Sequence, residues 1–450
     1  MTQTPRQVLA EVAAAGYCTH PIQLRGLTVD TETGELTPSL LRVACKDRRM
    51  DVCAACSYLY KADAWILIAA GMLGGKGLSP EVESHPRVFA TLTAPSFGAV
   101  HRVTASGTCH PGSRPPTCRH GVATTCRTTH VDDDPLVGAP LCVDCFEYDD
   151  AVLWNATASR LWHRTMVRLR QGVGATQRLS ESQLHKVAKI NYLKVAEFQR
   201  RGLVHFHAVI RADGPDGAES PPPEWLTAEL LEHQVRRLGL AATLKGPEGR
   251  GFQWGTQLEV TDVTAGDDDG KRIANYLAKY AVKSTDSSAT FARRFRRRDD
   301  IERMPARDHA RQLALTAWDL GADPELEASG LRRHAHAFGF TGQLITKSQG
   351  FSTTFRSLKE ARAAYMTACN EGAPVVLGSF AYAGRGYTDP RGEAVAELLH
   401  TETVAMRQRA KERRVAELEE LGSSRSGSRT RSRDSRSGSQ TDGERDGDPR

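Results

Sequence analysis

The chain of 450 residues contains no continuous apolar run of the roughly 20 residues that a membrane-spanning helix needs. Its first segment, Met1–Ala15, also lacks the apolar core of a secretory signal and has the pattern of a polar-flanked amphipathic helix. A Walker-type phosphate-binding loop is likewise missing from the sequence. These absences predict a cytoplasmic protein that has no membrane partner and no ATP-driven motor domain of the Walker type.

A strong excess of one charge is missing too, because 60 basic residues nearly balance 54 acidic ones and leave a formal charge of +6. The positive charge is nevertheless uneven, and it is densest in one run of arginines late in the chain. Such a run either contacts a phosphate backbone, with binding that weakens as salt rises, or lies on an ordinary solvated helix. The residues predicted to contact DNA are Arg293, Arg294, Arg296, Arg297 and Arg298.

Ten cysteines are present, and disulfides are disfavoured in the reducing compartment predicted for this chain. Two Cys-x-x-Cys pairs have the spacing of thiolate zinc sites and lack the βαβ surroundings of a redox pair. Each pair is preceded by further cysteines, which predicts two Cys₄ sets. The first set is Cys18, Cys45, Cys53 and Cys56, and the second is Cys118, Cys126, Cys142 and Cys145.

The ligands of the second set remain open, because other zinc-binding residue types lie in the same stretch. Those able to substitute are Cys109, His110, His120 and His130. The segment Ser106–Asp150 is poor in apolar residues, so zinc is expected to replace a hydrophobic core there. Zn²⁺ is therefore the predicted structural cofactor.

The tripeptide His205–His207 has apolar neighbours that alternate as in a β-strand, so both imidazoles are predicted to point to one face. Lys194–Gln199 has the composition of a partner strand, and Arg200–Gly202 supplies the glycine that a tight hairpin turn needs. A turn centred in that segment places Glu197 directly opposite His205.

Glu197, His205 and His207 then form a mixed set of nitrogen and oxygen ligands that suits Mg²⁺ or Mn²⁺. Three protein ligands leave coordination positions open for a phosphate oxygen. The alternative is a pair of ordinary histidines on a half-buried strand.

A second group of chemical interest lies on a predicted helix that follows Asp269, its candidate N-cap. Four residues recur at helical spacing and share one face, namely Tyr276, Lys279, Tyr280 and Lys283. The neighbouring stripe of Ile273, Leu277 and Ala281 is predicted to pack on the sheet. A tyrosine hydroxyl has a pKa of about 10, so it needs nearby cations to act as a nucleophile. The alternative is a solvated helix with two half-buried tyrosines.

Three short motifs occur in a familiar order, namely Val88–Thr93, His205–His207 and Tyr276–Lys283. In that order they resemble the HUH endonucleases of the rolling-circle replication initiator type, most closely those of actinomycete plasmids and integrative elements. The resemblance extends from about Cys18 to Gly386, and Glu197 matches an acidic residue that the family carries ahead of its histidines. It implies metal-assisted cleavage of one strand at an origin, a 5′-phosphotyrosine intermediate, a free 3′-hydroxyl and later rejoining of the strand.

The resemblance also ranks the candidate catalytic residues. Tyr280 comes first as nucleophile because Lys283 and Asp286 follow it in the family's pattern, and Tyr276 comes second. The spacing of the two tyrosines is similar to that of phage gene A initiators, in which two tyrosines alternate. Lys279 and Lys283 are the accompanying cations. The implied partners are origin DNA that is single-stranded at the nick, a host helicase and a polymerase, while the oligomeric state stays open.

The predicted fold class is α+β, with a central antiparallel sheet flanked by helices, zinc-binding segments and a mainly helical C-terminal region; the resemblance implies an HUH, ferredoxin-like sheet. Four regions are predicted: a zinc-binding region at 1–84, a nicking domain at 85–290 with a zinc-binding insertion at 106–150, a helical, candidate DNA-binding region at 291–421, and a disordered Arg/Ser/Gly/Asp tail at 422–450.

The better-defined predicted helices are Ala62–Leu73, Asp149–Leu169, Trp225–Leu238, Ala306–Leu320, Leu358–Asn370 and Glu393–Leu421. Further strands are predicted at Arg87–Thr93, Gln253–Val263 and Val375–Tyr382.

Two other functions remain open from the sequence. A conjugative relaxase or a single-strand transposase would share the metal and the tyrosine. A non-catalytic zinc-ribbon DNA-binding regulator would share only the cysteines and the basic run. Formation of a covalent adduct with DNA separates the enzymes from the regulator.

Overall fold

The structure is a computed structural model that describes residues 3–29, 34–105, 107–112, 116–246, 249–263, 269–282, 291, 294–369 and 380–431. Within these ranges the side chains of 269, 280–282, 328, 366, 369 and 416–431 are not described. The chain divides into two compact units. The smaller unit comprises Met1–Gly26, Pro38–Ala44 and Ser379–Arg450, and the larger comprises Leu27–Thr37 and Cys45–Gly378.

Helices and strands are interspersed along the chain. The helices are α1 Pro5–Ala14, α2 Ala54–Leu73, α3 Tyr148–Thr176, α4 Glu181–Val187, α5 Ala228–Ala241, α6 Asp269–Val282, α7 Arg298–Glu302, α8 Asp308–Leu320, α9 Phe355–Cys369 and α10 Arg391–Arg431. The strands are β1 Ile22–Val29, β2 Leu36–Val43, β3 Arg87–Leu92, β4 Lys189–Phe198, β5 Val204–Asp213, β6 Thr243–Lys245, β7 Gly251–Gln253, β8 Leu258–Asp262, β9 Ile345–Lys347 and β10 Phe380–Arg385.

The larger unit is organised around a five-stranded sheet in the order β8-β3-β5-β4-β9, with every neighbouring pair antiparallel. On one face, the even-numbered residues of β5 from Val204 to Ile210 pack in a core with the long helix α3. On the other face, Val209 of β5 packs with α2 and α6. The α+β class and the antiparallel sheet with flanking helices are thus confirmed.

Helix α6 lies on the sheet through Ala274, Leu277 and Ala278, which are buried against α2 and the neighbouring strands. The predicted stripe was partly right, because Leu277 is in this core while Ile273 is only half-buried. The side chain of Ala281 lies outside the described residues. The buried stripe therefore combines Leu277 with two small alanines, Ala274 and Ala278, which allow close approach.

Two buried arginines attach helix α2 to the sheet, Arg87 at the start of β3 and Arg211 near the end of β5. Arg87 donates from Nη1 to the carbonyl of Met72 at 2.8 Å, and Arg211 donates to the carbonyl of Gly71. Both carbonyls are in the last turn of α2, where a cation also stabilises the helix dipole. Arg211 in turn forms two hydrogen bonds with Asp213, at 2.6 and 2.8 Å. These contacts fix α2, and so the surface that receives α6.

Several predicted element boundaries differ from the structure; α2, for example, begins at Ala54 and not at Ala62, and three other elements differ as follows. The strand predicted at Gln253–Val263 is two strands, β7 and β8, because Trp254 between them is buried and donates to Thr165 Oγ1 at 2.9 Å. The C-terminal strand is β10, later than Val375–Tyr382, and residues 370–379 lie outside the described residues. Helix α10 continues through Arg431, so it passes the predicted start of the tail; residues 432–450 are not described.

The smaller unit contains helices α1 and α10, which pack through Val8, Val12 and Ala396. It also contains most of a three-stranded sheet in the order β10-β1-β2. In the described part of the chain, no helix is both long and apolar enough to cross a membrane.

Candidate active site and metal centres

The β4–β5 hairpin positions the central group of polar side chains. Its register places Glu197 directly opposite His205, as predicted from the turn. The turn closes through a 2.8 Å hydrogen bond from the Gly202 amide to the Gln199 carbonyl, and Gly202 has a φ of 77°. This left-handed conformation strains any residue with a Cβ, and a Cβ at this position would also collide with Leu313.

Glu197, His205 and His207 converge on one face of the sheet. Oε2 of Glu197 lies 2.9 Å from Nε2 of His205 and 3.2 Å from Nε2 of His207. An octahedral ion bound at about 2.0–2.1 Å separates adjacent ligand atoms by about 3 Å, and both distances from Oε2 are close to this value. The structure therefore brings the three predicted ligands together as a group that could hold a metal ion.

Hydrogen bonds and burial affect how the two imidazoles can bind a cation. Nδ1 of His207 lies 3.1 Å from Oγ1 of Thr91, which is its partner in the register of β3 and β5. If Nδ1–H donates to this hydroxyl, Nε2 keeps its lone pair for a cation. Burial lowers the pKa of His205, against the opposing effect of its hydrogen bond to the Glu197 carboxylate. The lowered pKa favours the neutral imidazole, which is the form that binds metals.

Tyr276 lies beside this set although it comes from a separate helix. Its ring centroid is 5.4 Å from that of His207, with the two rings nearly perpendicular. Phe89 contacts both, stacking on His207 at 6.0 Å and meeting Tyr276 edge-on at 5.8 Å. Tyr276 is 41% exposed, so a substrate can reach it from solvent.

Of the four predicted catalytic residues, the structure describes the side chains of two, Tyr276 and Lys279. Lys279 is exposed on α6. The side chain of Tyr280 and all of Lys283 lie outside the described residues. The ranking of Tyr280 above Tyr276 therefore stays a prediction.

In the first predicted zinc set, Sγ of Cys45 and Sγ of Cys56 are 3.6 Å apart in the larger unit. The amide of Asp47 donates to the Cys45 sulfur at 3.5 Å, and Cys53 is buried just before α2. Cys18 belongs to the smaller unit. Its grouping with the other three cysteines stays a prediction.

The second predicted zinc set needs a correction at one member. His120, one of the residues left open, joins Cys118, Cys142 and Cys145, with its Nδ1 at 3.2 Å from the Cys145 sulfur and 3.6 Å from the Cys142 sulfur. Cys126 lies in a different group, its sulfur 3.5 Å from Nε2 of His130.

The reason for this correction is a backbone bridge that spacing alone does not reveal. Cys126 and His110 exchange two backbone hydrogen bonds, of 2.8 and 3.0 Å, which fix the position of Cys126. His110 itself places Nε2 2.9 Å from the carbonyl of Val100, so its imidazole is engaged with the backbone.

The arginines predicted to contact DNA, as far as the structure describes them, have different environments. Arg298 is held by Asp319, at 2.9 and 3.0 Å, and by Glu302; the hydrogen bond to Asp319 is the main reason that its pKa is raised. Arg294 lines a cleft of about 610 Å³ together with Arg48 and Arg49. Arg296 and Arg297 are exposed, and Arg293 lies outside the described residues.

Comparisons with known proteins find a matching family and a related protein. A family model described as "Replication initiator protein, pSAM2" (RepSA) matches residues 4–401, which include the hairpin, the segment predicted to bind zinc and α6. A replication initiator protein of Streptomyces ambofaciens is 37% identical over 419 residues, which cover 86% of this chain and 87% of that relative. No solved structure matches the chain.

Proposed function

This chain belongs to the replication initiator protein family of pSAM2, and we propose that it starts rolling-circle replication by nicking one DNA strand at an origin. A tyrosine oxygen of α6 forms a bond to the scissile phosphorus, and the bond from phosphorus to the 3′ oxygen breaks. The phenol proton ends on the 3′ oxygen, which becomes a free hydroxyl. The 5′ phosphate stays esterified to tyrosine, so a later attack by a 3′-hydroxyl rejoins the strand without ATP.

The observation that carries this proposal is the meeting of a three-ligand set with a phenol from another element. Glu197, His205 and His207 lie on the hairpin, and the Tyr276 ring lies 5.4 Å from that of His207. A zinc-binding regulator without catalytic activity has no need of this arrangement. Mg²⁺ or Mn²⁺ in this set would draw charge from a non-bridging phosphate oxygen.

The chain's own residues have separate roles in this proposal. Thr91 orients His207, and the carboxylate of Glu197 bridges the two imidazoles and fixes their spacing. Tyr276 and Tyr280 are four residues apart in the sequence of α6, a helical spacing that supports a role for both on one face. Two tyrosines on one face allow a second cleavage while the first tyrosine is still esterified.

Tyrosine-to-phenylalanine variants test the proposal directly. The full-length protein is mixed with single-stranded fragments of the replicon's origin and Mn²⁺, denatured, and examined for protein that stays attached to DNA. We expect wild type to form this adduct and the Tyr276→Phe/Tyr280→Phe double variant to form none. Tyr365→Phe, which alters an exposed tyrosine on α9, is the matched control and should behave as wild type.

The single variants then assign the nucleophile. If Tyr280→Phe alone abolishes the adduct and Tyr276→Phe does not, Tyr280 acts alone; if each single variant still forms an adduct, the two tyrosines are interchangeable. An adduct that persists in the double variant would overturn the proposed chemistry. Wild-type protein that binds the origin but never forms an adduct would instead indicate a regulator.

The proposal also defines the partners. Origin DNA must be single-stranded at the nick, because the phosphate has to enter a site built on a sheet face beneath α6. The 3′-hydroxyl that is released suits a host polymerase, and unwinding requires a separate helicase because the sequence lacks a Walker motif.

A further inference from the structure

The predicted zinc-binding insertion, extended so that it begins at His101, contains a second group of four side chains, separate from the one that includes His120. His101, Cys109, Cys126 and His130 each place one ligand atom within 4.8 Å of the others. Nδ1 of His101 lies 3.2 Å from Nε2 of His130 and 3.9 Å from the Cys109 sulfur. The Cys126 sulfur lies 3.5 Å from Nε2 of His130.

These separations are those of a tetrahedral zinc site. Zinc bound at about 2.0–2.1 Å to nitrogen and about 2.3 Å to sulfur places its ligand atoms about 3.3 to 3.8 Å from one another. The three measured separations lie at or close to these values. Cys109 and Cys126 are free thiols, so the group is not a disulfide with two nearby histidines.

The surroundings orient the ligand atoms toward a common centre. Nδ1 of His130 lies 2.5 Å from Oδ2 of Asp134, an outer carboxylate of the kind that fixes a metal-bound histidine and leaves Nε2 for the ion. The Cys109 sulfur is buried and accepts the amide of Arg102 at 3.3 Å. His130 is also buried.

The order of the ligands along the chain links this group to its neighbour. His101 and Cys109 belong to the first group, Cys118 and His120 to the second, Cys126 and His130 to the first again, and Cys142 and Cys145 to the second. The two groups are therefore interleaved, and neither can form from one contiguous half of the insertion. In a segment so poor in apolar residues, such crossing links replace a core.

We propose that His101, Cys109, Cys126 and His130 bind their own Zn²⁺ ion, so that the insertion is a two-zinc module with alternating ligand pairs. This inference is independent of the nicking chemistry. The sequence predicted a single site here, and it did not identify His101 as a ligand.

Counting zinc in the purified full-length protein tests the inference. Cys126→Ser and His101→Ala should each contain one equivalent less than wild type, as measured by elemental analysis and native mass spectrometry. His110→Asn is the matched control, because its imidazole contacts the Val100 carbonyl and not the group. It should keep the wild-type count. An unchanged count in both ligand variants would overturn the inference.

A ligand exchange decides the question if the first variants do not fold. Cys126→His keeps four donors but removes one thiolate, so the Co²⁺-substituted protein should lose part of its thiolate-to-cobalt charge-transfer absorbance while keeping the wild-type metal count. A cobalt spectrum identical to that of wild type would show that Cys126 is not a ligand, and the proposed site would be rejected.

Discussion

Glu197 is the residue on which the candidate active site depends, because one oxygen atom, Oε2, lies within hydrogen-bonding distance of both imidazoles. Replacing it with glutamine keeps the shape of the side chain but removes its negative charge. We expect Glu197→Gln to weaken Mn²⁺ binding by more than about 100-fold, beyond the usual effect of an outer-shell change. Isothermal titration calorimetry with Mn²⁺ on zinc-loaded protein measures this.

A neighbouring carboxylate provides the control for that experiment. Glu259 on β8 pairs with Thr91 across the sheet and is exposed. Glu259→Gln removes a negative charge from the same sheet without removing one of the three ligands. If the two glutamine variants weaken Mn²⁺ binding equally, the effect is one of general charge and Glu197 is not a ligand.

Thr91 acts one step further from the ion, through His207. Thr91→Val has almost the same shape but loses the hydroxyl 3.1 Å from Nδ1 of His207. We expect Mn²⁺ affinity and the rate of adduct formation to fall by about 10–100-fold, the usual range for the outer partner of a metal-bound histidine. Thr91→Ser keeps the hydroxyl and should restore most of the loss; a serine variant as weak as the valine variant would show that packing, not the hydrogen bond, matters.

The sequence predicts some of these residues and misses others for a physical reason. Glu197, His205 and His207 lie in one hairpin, so strand alternation and a glycine turn are enough to bring them together. Thr91 lies 116 residues before His207 in the sequence, and only the β3–β5 register shows that the two side chains meet. The placement of Cys126 depends on a loop path in the same way, because ligand spacing allows several pairings and the fold selects one.

At the scale of elements, the β4–β5 hairpin is rigid because other elements hold its tip. Arg201 donates to the carbonyls of the loop after β3 at 2.8 and 2.9 Å. Asn155 of α3 donates to the carbonyl of Gly202 at 3.0 Å, and His309 of α8 lies 3.1 Å from the carbonyl of Arg201. The tip is therefore fixed from three directions, which limits the freedom of Glu197 and His205.

His309 makes this support sensitive to pH. Its Nδ1 lies 3.0 Å from the Tyr148 hydroxyl, and burial lowers its pKa to about 4, against about 6.5 in an unfolded chain. Between these values the unfolded state binds more protons, so the stabilisation is present above pH 6.5 and is lost as the pH falls toward 4. We expect this residue alone to cost about 2 kcal/mol of stability between pH 7 and pH 5.

Urea unfolding of wild type and His309→Gln at the two pH values measures this contribution. The variant should be less stable at pH 7 but should lose less stability on acidification. His163→Gln, which alters an exposed histidine on α3, should keep the wild-type pH dependence. Equal pH dependence in wild type and His309→Gln would contradict the assignment.

At the scale of the whole molecule, local sequence patterns predict the helices and strands better than they predict which of them belong to the same compact unit. The antiparallel sheet and its flanking helices follow from periodicity and turn residues. The sequence assigned residues 1–84 to a separate N-terminal region, yet α2 packs on the sheet within the larger unit. Its attachment depends on Arg87 and Arg211, whose burial against α2 carbonyls no local pattern reveals.

The distribution of charge in the larger unit is also set by the fold. The cleft of about 610 Å³ brings Arg48 and Arg49 together with Arg294, which is far away in sequence. Burial, together with the positive charge of His334, Arg294 and Arg49, lowers the pKa of His336 in this cleft to about 4. Phe291 and Phe340 supply aromatic rings to the same cleft. Basic and aromatic groups together are typical of surfaces that bind single-stranded nucleic acid.

We therefore expect the arginines that the sequence predicts to contact DNA to contribute unequally to DNA binding. Arg294→Ala should weaken binding of a single-stranded oligonucleotide and reduce the slope of log affinity against log salt by about 0.7, the value for one lost phosphate contact. Arg298→Ala is the matched control, because Asp319 and Glu302 already engage its guanidinium. Fluorescence anisotropy over a salt series measures both slopes. If Arg298→Ala lowers the slope and Arg294→Ala leaves it unchanged, the DNA follows the exposed surface of α7 and not this cleft.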